Sequence, residues 1–245
     1  EFVGESALVA ISGKVNFNII TKKGVTKKGT SNESFILSNG DKIDILSTIN
    51  SVYGYFSISG GFKLKEIKGS VSTLVRAKIG PNNGDKLKSE DKIFFNISKP
   101  VDKIKKIQFD FDKDNTIRVM KGLQIDYFSK KSQEDFFSKE YKVTRLTDRM
   151  GMRLEGEKLE NTVSKNIKSE GITKGSIQIP GDGQPIVLLS DHPTIGGYPK
   201  IANVITADYD KLVQKTQGSK IKFKLVDLVV AESSFQDYIA KFNNF

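Results

Sequence analysis

The chain has 245 residues, 37% hydrophobic and 28% charged, a balance that excludes a disordered chain and suffices for one large or two small packed domains. It has no cysteine and a single histidine, His192, which excludes disulfides, cysteine-ligated zinc, thiol catalysis and any multi-histidine metal site. The formal charge of +10 comes mostly from lysines scattered among many asparagines and isoleucines, as in an AT-rich coding sequence, and no aromatic residue interleaves with the paired lysines as a base-stacking surface requires, so nucleic acid is not an expected partner.

Residues 7–12 open the chain with a compact apolar run. Val15, Phe17 and Ile19 then alternate with polar neighbours at the period-two spacing of a half-buried strand. Lys22, Lys23, Lys27 and Lys28 flank Gly24 and Gly29 and read as a solvated hairpin tip. Strands are expected at 34–37, 42–46 and 53–59, separated by Asn39-Gly40 and similar turns, with a further one at 93–97. Strands this short and this closely spaced predict a barrel or sandwich, not a parallel α/β sheet. Between 98 and 115 the chain becomes rich in lysine and aspartate. A boundary placed there gives an N-terminal β lobe over 1–110 and a C-terminal barrel lobe over 111–245.

The second lobe starts with a strand at 116–120 and a short polar helix at 132–139 carrying Phe136 and Phe137. Strands at 175–179 and 185–189 enclose the turn Gly181-Asp182-Gly183, and another follows at 201–205. Thr206 is expected to cap a helix over 207–216, with Gly218 at its C-terminal end. Ile221, Phe223 and Leu225 alternate as a strand. Ser233 with Gln236 fits a capping box, and Phe235, Tyr238, Ile239 and Phe242 follow the i, i+3, i+4, i+7 spacing of an amphipathic helix. No apolar run approaches the ~20 residues of a membrane span. No signal peptide is visible, although the first residue is Glu rather than Met. The expectation is a cytoplasmic protein without a membrane partner.

Three segments carry residues suited to chemistry. The first is Thr147-Asp148-Arg149-Met150-Gly151-Met152-Arg153-Leu154-Glu155-Gly156. Of only five arginines in the chain, Arg145, Arg149 and Arg153 fall in or beside it. Where lysine is the default cation, arginine points to a use for its planar fork, which binds carboxylate or phosphate bidentately. An ion-pair network with Asp148 and Glu155 explains the same residues equally well. The second is Ser190-Asp191-His192-Pro193-Thr194-Ile195-Gly196-Gly197-Tyr198-Pro199-Lys200, which follows a strand end. Its glycine pair allows close backbone approach to a ligand, and Asp191, Thr194, Tyr198 and Lys200 add a carboxylate, two hydroxyls and an ammonium. A tight structural loop is the plainer alternative. His192, a lone histidine beside proline, is assigned no catalytic part. The third is Ser59-Gly60-Gly61-Phe62 with Gly69-Ser70-Val71-Ser72-Thr73, either a second anion-binding loop or, more simply, structural turns.

The run Asp148 to Gly156 resembles the "DRMG-RLEG" signature of KipA-like proteins, a branch of the biotin-dependent carboxyltransferase family related to allophanate hydrolase subunit 2 and urea amidolyase. The resemblance continues through Ser169-Glu170-Gly171-Ile172 and Gly175-Ser176-Ile177-Gln178-Ile179-Pro180. It then extends from Asp182-Gly183-Gln184-Pro185 to Asp191, Thr194 and Gly196-Gly197-Tyr198-Pro199-Lys200-Ile201-Ala202. Arg118-Val119 with Gly122, Gln124 and Phe128 is similar to the family's "LRV-PGPQ-D-F" segment, with Leu123 where a proline is usual. Ser59-Gly60-Gly61 with Gly69-Ser70-Ser72-Thr73 is similar to "AGG…GSRST", with Val71 in place of the arginine. Nothing matches the family's opening "QD-GR" and "SGAMD" motifs, so an N-terminal portion is expected to be absent.

The resemblance implies a mainly β, cyclophilin-like barrel architecture: two barrel-like lobes with a few short helices. It is a likeness of fold and implies no prolyl isomerase activity. It implies the C subunit of an ATP-dependent 5-oxoprolinase, working with a KipI-like B subunit and an A subunit to open the lactam of 5-oxo-L-proline to L-glutamate. In that role Arg149, Asp191 and Tyr198 are the expected catalytic residues, and Arg153, Gln184, Thr194, Gly196, Gly197 and Lys200 the expected substrate-binding ones, with no metal. ATP is expected on a partner or across an interface, because no Walker-type motif is present. Two other readings remain. One is a carboxyltransferase lobe like that of urea amidolyase, with biotin carried in by a partner. The other is a non-enzymatic KipA-type antagonist of a kinase inhibitor.

Overall fold

The computed structural model describes residues 1–97, 104–107 and 114–242, so most of the lysine- and aspartate-rich stretch at 98–115 lies outside the described residues. The chain divides into two compact units, Glu1–Phe109 and Asp110–Phe245.

The first unit contains β1 (Ser6–Ser12), β2 (Val15–Ile20), β3 (Thr26–Lys28), β4 (Ser34–Ser38), β5 (Lys42–Thr48) and β6 (Tyr55–Ile58). They pair antiparallel in two three-stranded sheets, ordered β4-β1-β6 and β3-β2-β5. The period-two pattern of β2 does what its spacing predicts: Val15, Phe17 and Ile19 are buried, and they join Phe2, Val9, Ile11, Leu37 and Ile58 in one core. Lys22 and Lys23 sit in the exposed turn between β2 and β3, with Gly24 at φ 81°. The strand expected at 93–97 shrinks to a single bridge between Phe62 and Phe95. Phe95 packs there against the Phe2 ring at 5.4 Å, while Phe94 and Ile97 face outward.

The second unit contains β7 (Thr116–Lys121), α1 (Lys130–Ser138), β8 (Glu140–Thr147), β9 (Gly151–Glu155), β10 (Glu170–Gly171), β11 (Ser176–Gln178), β12 (Ile186–Leu188), β13 (Ile195–Gly196), β14 (Lys200–Val204), α2 (Thr206–Val213), β15 (Lys220–Leu225) and α3 (Leu228–Phe242). Seven strands close into a barrel in the order β11-β12-β9-β8-β15-β7-β14. The fold is therefore mainly β with barrel closure and few helices, as expected, and the closure belongs to the second unit. Alternate residues fill the barrel, including Ile117, Val119, Val143, Met152, Leu154, Ile177, Val187 and Ile221. Phe136 of α1 stacks on Phe223 with centroids 4.7 Å apart.

Helix ends differ from expectation in instructive ways. α1 is capped by Ser129, whose Oγ accepts from the Ser132 N–H, so it starts two residues early. Thr206 does not cap α2: it lies in the first turn, Ile205 holds the cap position without a side-chain bond, and Gly218 lies beyond the helix in a turn at φ 85°. α3 begins at Leu228 because Asp227 Oδ1 accepts from the Val230 N–H at 2.9 Å, which leaves Ser233 inside the helix. Phe235 and Ile239 of the expected stripe stay exposed, and the Phe242 side chain is outside the described part. No helix among the described residues is long and apolar enough to cross a membrane.

Arg118 ties α2 and α3 to the barrel wall. Its Nε donates to both Asp208 carboxylate oxygens, at 3.2 and 3.0 Å, its backbone N–H donates to Asp208 Oδ2 at 2.8 Å, and its Nη1 donates to Ser234 Oγ at 2.7 Å. The Asp208 side chain is only 5% exposed.

Candidate functional site

The segment bearing Arg149 and Arg153 is a hairpin, β8–β9, and its turn is built by Asp148, whose Oδ1 accepts from the N–H groups of Met150 (2.8 Å) and Gly151 (3.1 Å). Arg149 projects from that turn. Its fork closes bidentately on Asp191, Nε to Oδ2 at 2.7 Å and Nη2 to Oδ1 at 2.9 Å. The Asp191 N–H donates to the Arg149 carbonyl as well, and Leu189 N–H to that of Met150. The carboxylate that takes Arg149's bidentate contact is Asp191, 42 residues along, and the pair anchors the foot of the loop that follows β12.

Arg153 and Gln184 lie at the other end of β12. Arg153 Nη1 donates to Asp182 Oδ2 at 2.8 Å. Gln184 clasps the Gly156 backbone, its Oε1 accepting from that N–H and its Nε2 donating to that carbonyl. Gly156 is the close-approach glycine here, since a Cβ would sit 2.5 Å from the Tyr141 ring. Both ends of the Gln184 amide therefore hold the 181–184 turn in place.

The most concentrated buried polarity lies under the short ribbon β10–β13, in which Glu170 pairs with Gly196 and Gly171 with Ile195. Ile167 N–H to Gly197 carbonyl (2.8 Å) and Ile172 N–H to Thr194 carbonyl (3.1 Å) hold the ribbon at both ends. Beneath it β14 carries one extra residue: Ile177 of β11 is opposite Ala202, but Gln178 is opposite Lys200. Strict alternation would put Lys200 on the same side as Ala202, inside the barrel. The bulge turns it out beside Gln178, the kind of re-aiming that bulges provide near functional sites.

Covered by the ribbon, the Lys200 side chain is only 6% exposed, and its ammonium pairs with Glu170 Oε1. Gln124 braces the pair: its Nε2 donates to Glu170 Oε1 at 2.9 Å and its Oε1 accepts from the Lys200 N–H at 3.1 Å. The Lys200 hydrogen bond, then that of Gln124, holds the Glu170 carboxyl below its ordinary pKa. Arg153, Ile186, Gln178 and Lys200 form one row across neighbouring strands, so Arg153 stands two strand spacings, roughly 10 Å, from Gln178.

Of the residues singled out by sequence, Lys200 lies covered beside Glu170, Gly196 packs closely over the Gln178 amide, and Gly197 fastens the ribbon's edge. Arg149 and Asp191 form a clamp at the loop's foot. Thr194 and Tyr198 are exposed on the loop between, and Arg153 and Gln184 are engaged with the neighbouring turn. Glu170, Gln124 and Gln178 belong to this polar cluster without having been singled out as site members by sequence, although all three lie in the runs that carry the resemblance. Period two alone turns Gln178 away from Ile177 and Ile179. Only the folded ribbon shows that its outward side is covered.

In the first unit, the glycine-rich turn near 60 uses its N–H groups internally: Gly61 donates to Ile58, Ser70 to Ile67, and Ser72 to Ser70 Oγ. An open hollow of about 440 Å³ lies beside it, among Phe62, Thr73, Asp85 and Phe94. Asp85 is held down to about 2 by the Lys86 backbone N–H and by Lys88 and Lys78.

The Glu170–Lys200 pair makes a pH prediction. The folded carboxyl titrates below its ordinary value of 4.5, so its contribution to stability is complete above that pH and disappears as pH falls through the folded value. Glu170→Gln is therefore expected to be less stable than the parent chain at pH 7, with the gap closing below about pH 4. Urea midpoints at pH 7, 4 and 3 check this; a gap independent of pH contradicts it.

A family model described as "Carboxyltransferase domain, subdomain A and B" matches residues 2–225, and the chain belongs to that family. Among its relatives, the C subunit of 5-oxoprolinase from Haemophilus influenzae is 38% identical over 180 residues, covering 72% of this chain and 57% of that protein. The protein of the same name from Escherichia coli is 31% identical over 204 residues, covering 81% and 64%. The chain thus spans 57% and 64% of the length of these two relatives. The crystal structure of K. lactis urea amidolyase superposes with a TM-score of 0.83 at 26% identity, over 97% of this chain and 16% of that one.

Proposed function

We propose that the chain serves as the C subunit of an ATP-dependent 5-oxoprolinase, opening the lactam of 5-oxo-L-proline to L-glutamate together with a KipI-like B subunit and an A subunit. The observation that carries this reading is the buried Lys200, turned by a bulge to the same side as the Gln178 amide, in a chain whose relatives in two bacteria bear the name of that C subunit. A lactam carbonyl is a stable amide. ATP-coupled activation and fixed positive charge on its oxygen are what ring opening needs, and preorganised donors in a covered site supply the second. In this reading Lys200, Gly196 and Gly197 receive the substrate, and Thr194 and Tyr198 meet it from the loop. Arg149 and Asp191 hold that loop in its working position. Arg153 is the nearby cation for a carboxylate or phosphate. ATP is bound by a partner or shared with one, and the assembly works in the cytoplasm, where ATP is supplied.

The test is co-expression with the A and B subunits, followed by ATP-dependent hydrolysis of 5-oxo-L-proline. Arg149→Ala, which frees the loop's foot, is expected to lower kcat/KM by about tenfold or more, the loss of one charge-assisted bidentate contact. Unchanged turnover removes Arg149 from the machinery.

The superposition on urea amidolyase supports a second reading, a carboxyltransferase lobe acting on urea with biotin brought by a partner. Urea shares the N–C=O group. Turnover dependent on biotin and bicarbonate, with none on 5-oxo-L-proline, decides for it.

A further inference from the structure

Gln178 carries a side-chain amide whose Nε2 is buried and meets no acceptor among the described residues. A glutamine amide has two N–H donors, and a buried donor left unmatched costs about 1–3 kcal/mol. A native barrel wall seldom keeps such a group without a use for it. Gln178 and Lys200 are directly opposed on β11 and β14, so their side chains leave one face about 5 Å apart. Among the described residues Glu170 is the acceptor for the Lys200 ammonium, which has three N–H groups to offer.

The residue above the amide is Gly196. A Cβ at that position would stand 2.6 Å from Gln178 Nε2 and 3.0 Å from Ile172 Cδ1. Gly196 is not among the residues of positive φ, so its backbone does not demand glycine. Glycine is there because the ribbon backbone lies too close to the amide and to Ile172 for any side chain.

We infer that Gln178 Nε2 and Lys200 Nζ form a donor pair for one acceptor oxygen of a small ligand, an amide carbonyl or a carboxylate oxygen, received beneath Gly196. The ligand's identity rests on the function proposed above; the donor pair recognises the oxygen in either case. A neutral N–H and an ammonium converging on one oxygen favour a carbonyl that gains negative charge during reaction. Nε2 is sealed by the ribbon, so ligand entry displaces β10–β13, a pairing of two residues on each strand with the Ile167 and Ile172 bonds at its ends.

The experiment uses Gln178→Met, which keeps length and apolar volume and removes both donors. In the full chain, the side-chain amide resonances of Gln178 are identified by their disappearance in the variant. They are then followed while 5-oxo-L-proline, and separately urea, is added. In the assembly with its partner subunits, KM is measured for parent and variant. The expected result is a shift of the Gln178 pair with at least one compound. The KM for that compound rises about tenfold in the variant. The unfolding temperature is equal to or above the parent's, because an unmatched buried donor has gone. Resonances unmoved by both compounds overturn the inference, as does a variant that is less stable yet unchanged in KM. If urea moves the resonances while 5-oxo-L-proline is neither bound nor hydrolysed, the oxoprolinase reading falls and the donor pair stands.

Discussion

On the function proposed above, Lys200→Met is expected to reduce kcat for 5-oxo-L-proline in the co-expressed assembly by about 10²–10³-fold, the loss that follows removal of one preorganised donor at a developing oxyanion. The fold should survive the change. The residue left behind, Glu170, has a side chain 37% exposed and can regain water, whereas Lys200 is 6% exposed and cannot. That asymmetry separates the two halves of the ion pair. Removing Glu170 strands a buried ammonium and acts on stability, while removing Lys200 acts on chemistry. Steady-state kinetics with the partner subunits, beside a thermal unfolding curve, measures both. A folded Lys200→Met with undiminished kcat takes Lys200 out of the reaction.

The largest effect on stability is expected at Asp208. Its carboxylate is nearly fully buried and accepts from the Arg118 backbone as well as its guanidinium. The Arg118 guanidinium, 34% exposed, can regain water, but Asp208→Ala removes the charged acceptor of both the Arg118 N–H and the guanidinium and costs about 3–5 kcal/mol, the loss of two hydrogen bonds to a charged group. For a unit of this size that corresponds to a fall of about 10–20 °C in the unfolding midpoint. The exposed pair Lys220–Glu140 is the control: with side chains 66% and 56% exposed, it should contribute at most about 1 kcal/mol. Calorimetry of Asp208→Ala and Lys220→Ala makes the comparison, and equal midpoints for the two variants would falsify it.

Arg118 illustrates how differently sequence and structure speak. Its place in a family-like run is visible in the chain, but its partners are not, because Asp208 and Ser234 lie 90 and 116 residues further on. Arg149 is similar. An arginine needing a carboxylate is legible, and Asp148 and Glu155 are reasonable near candidates, yet Asp148 is occupied in building the turn and the pairing goes to Asp191. Local rules hold where local energies decide. The alternation in β2 and β15, the solvated lysine tip and the existence of the two late helices all follow from nearest-neighbour spacing. Helix starts depart from the local reading where a competing cap lies a few residues upstream, as with Asp227 ahead of Ser233.

By itself the sequence determined a mainly β chain with short strands, the family to which it belongs, and the two loops where polar residues gather. The strands and loops are consequences of side-chain period and local composition, which act over a few residues, while the family was legible from the resemblance of its motifs. Tertiary structure alone decided which polar groups became buried neighbours. One extra residue in β14 turns Lys200 outward, and a ribbon joining positions 170 and 196 then covers it together with Gln178. Burial of a polar group is a property of what lies above it, and that covering chain comes from a distant part of the sequence.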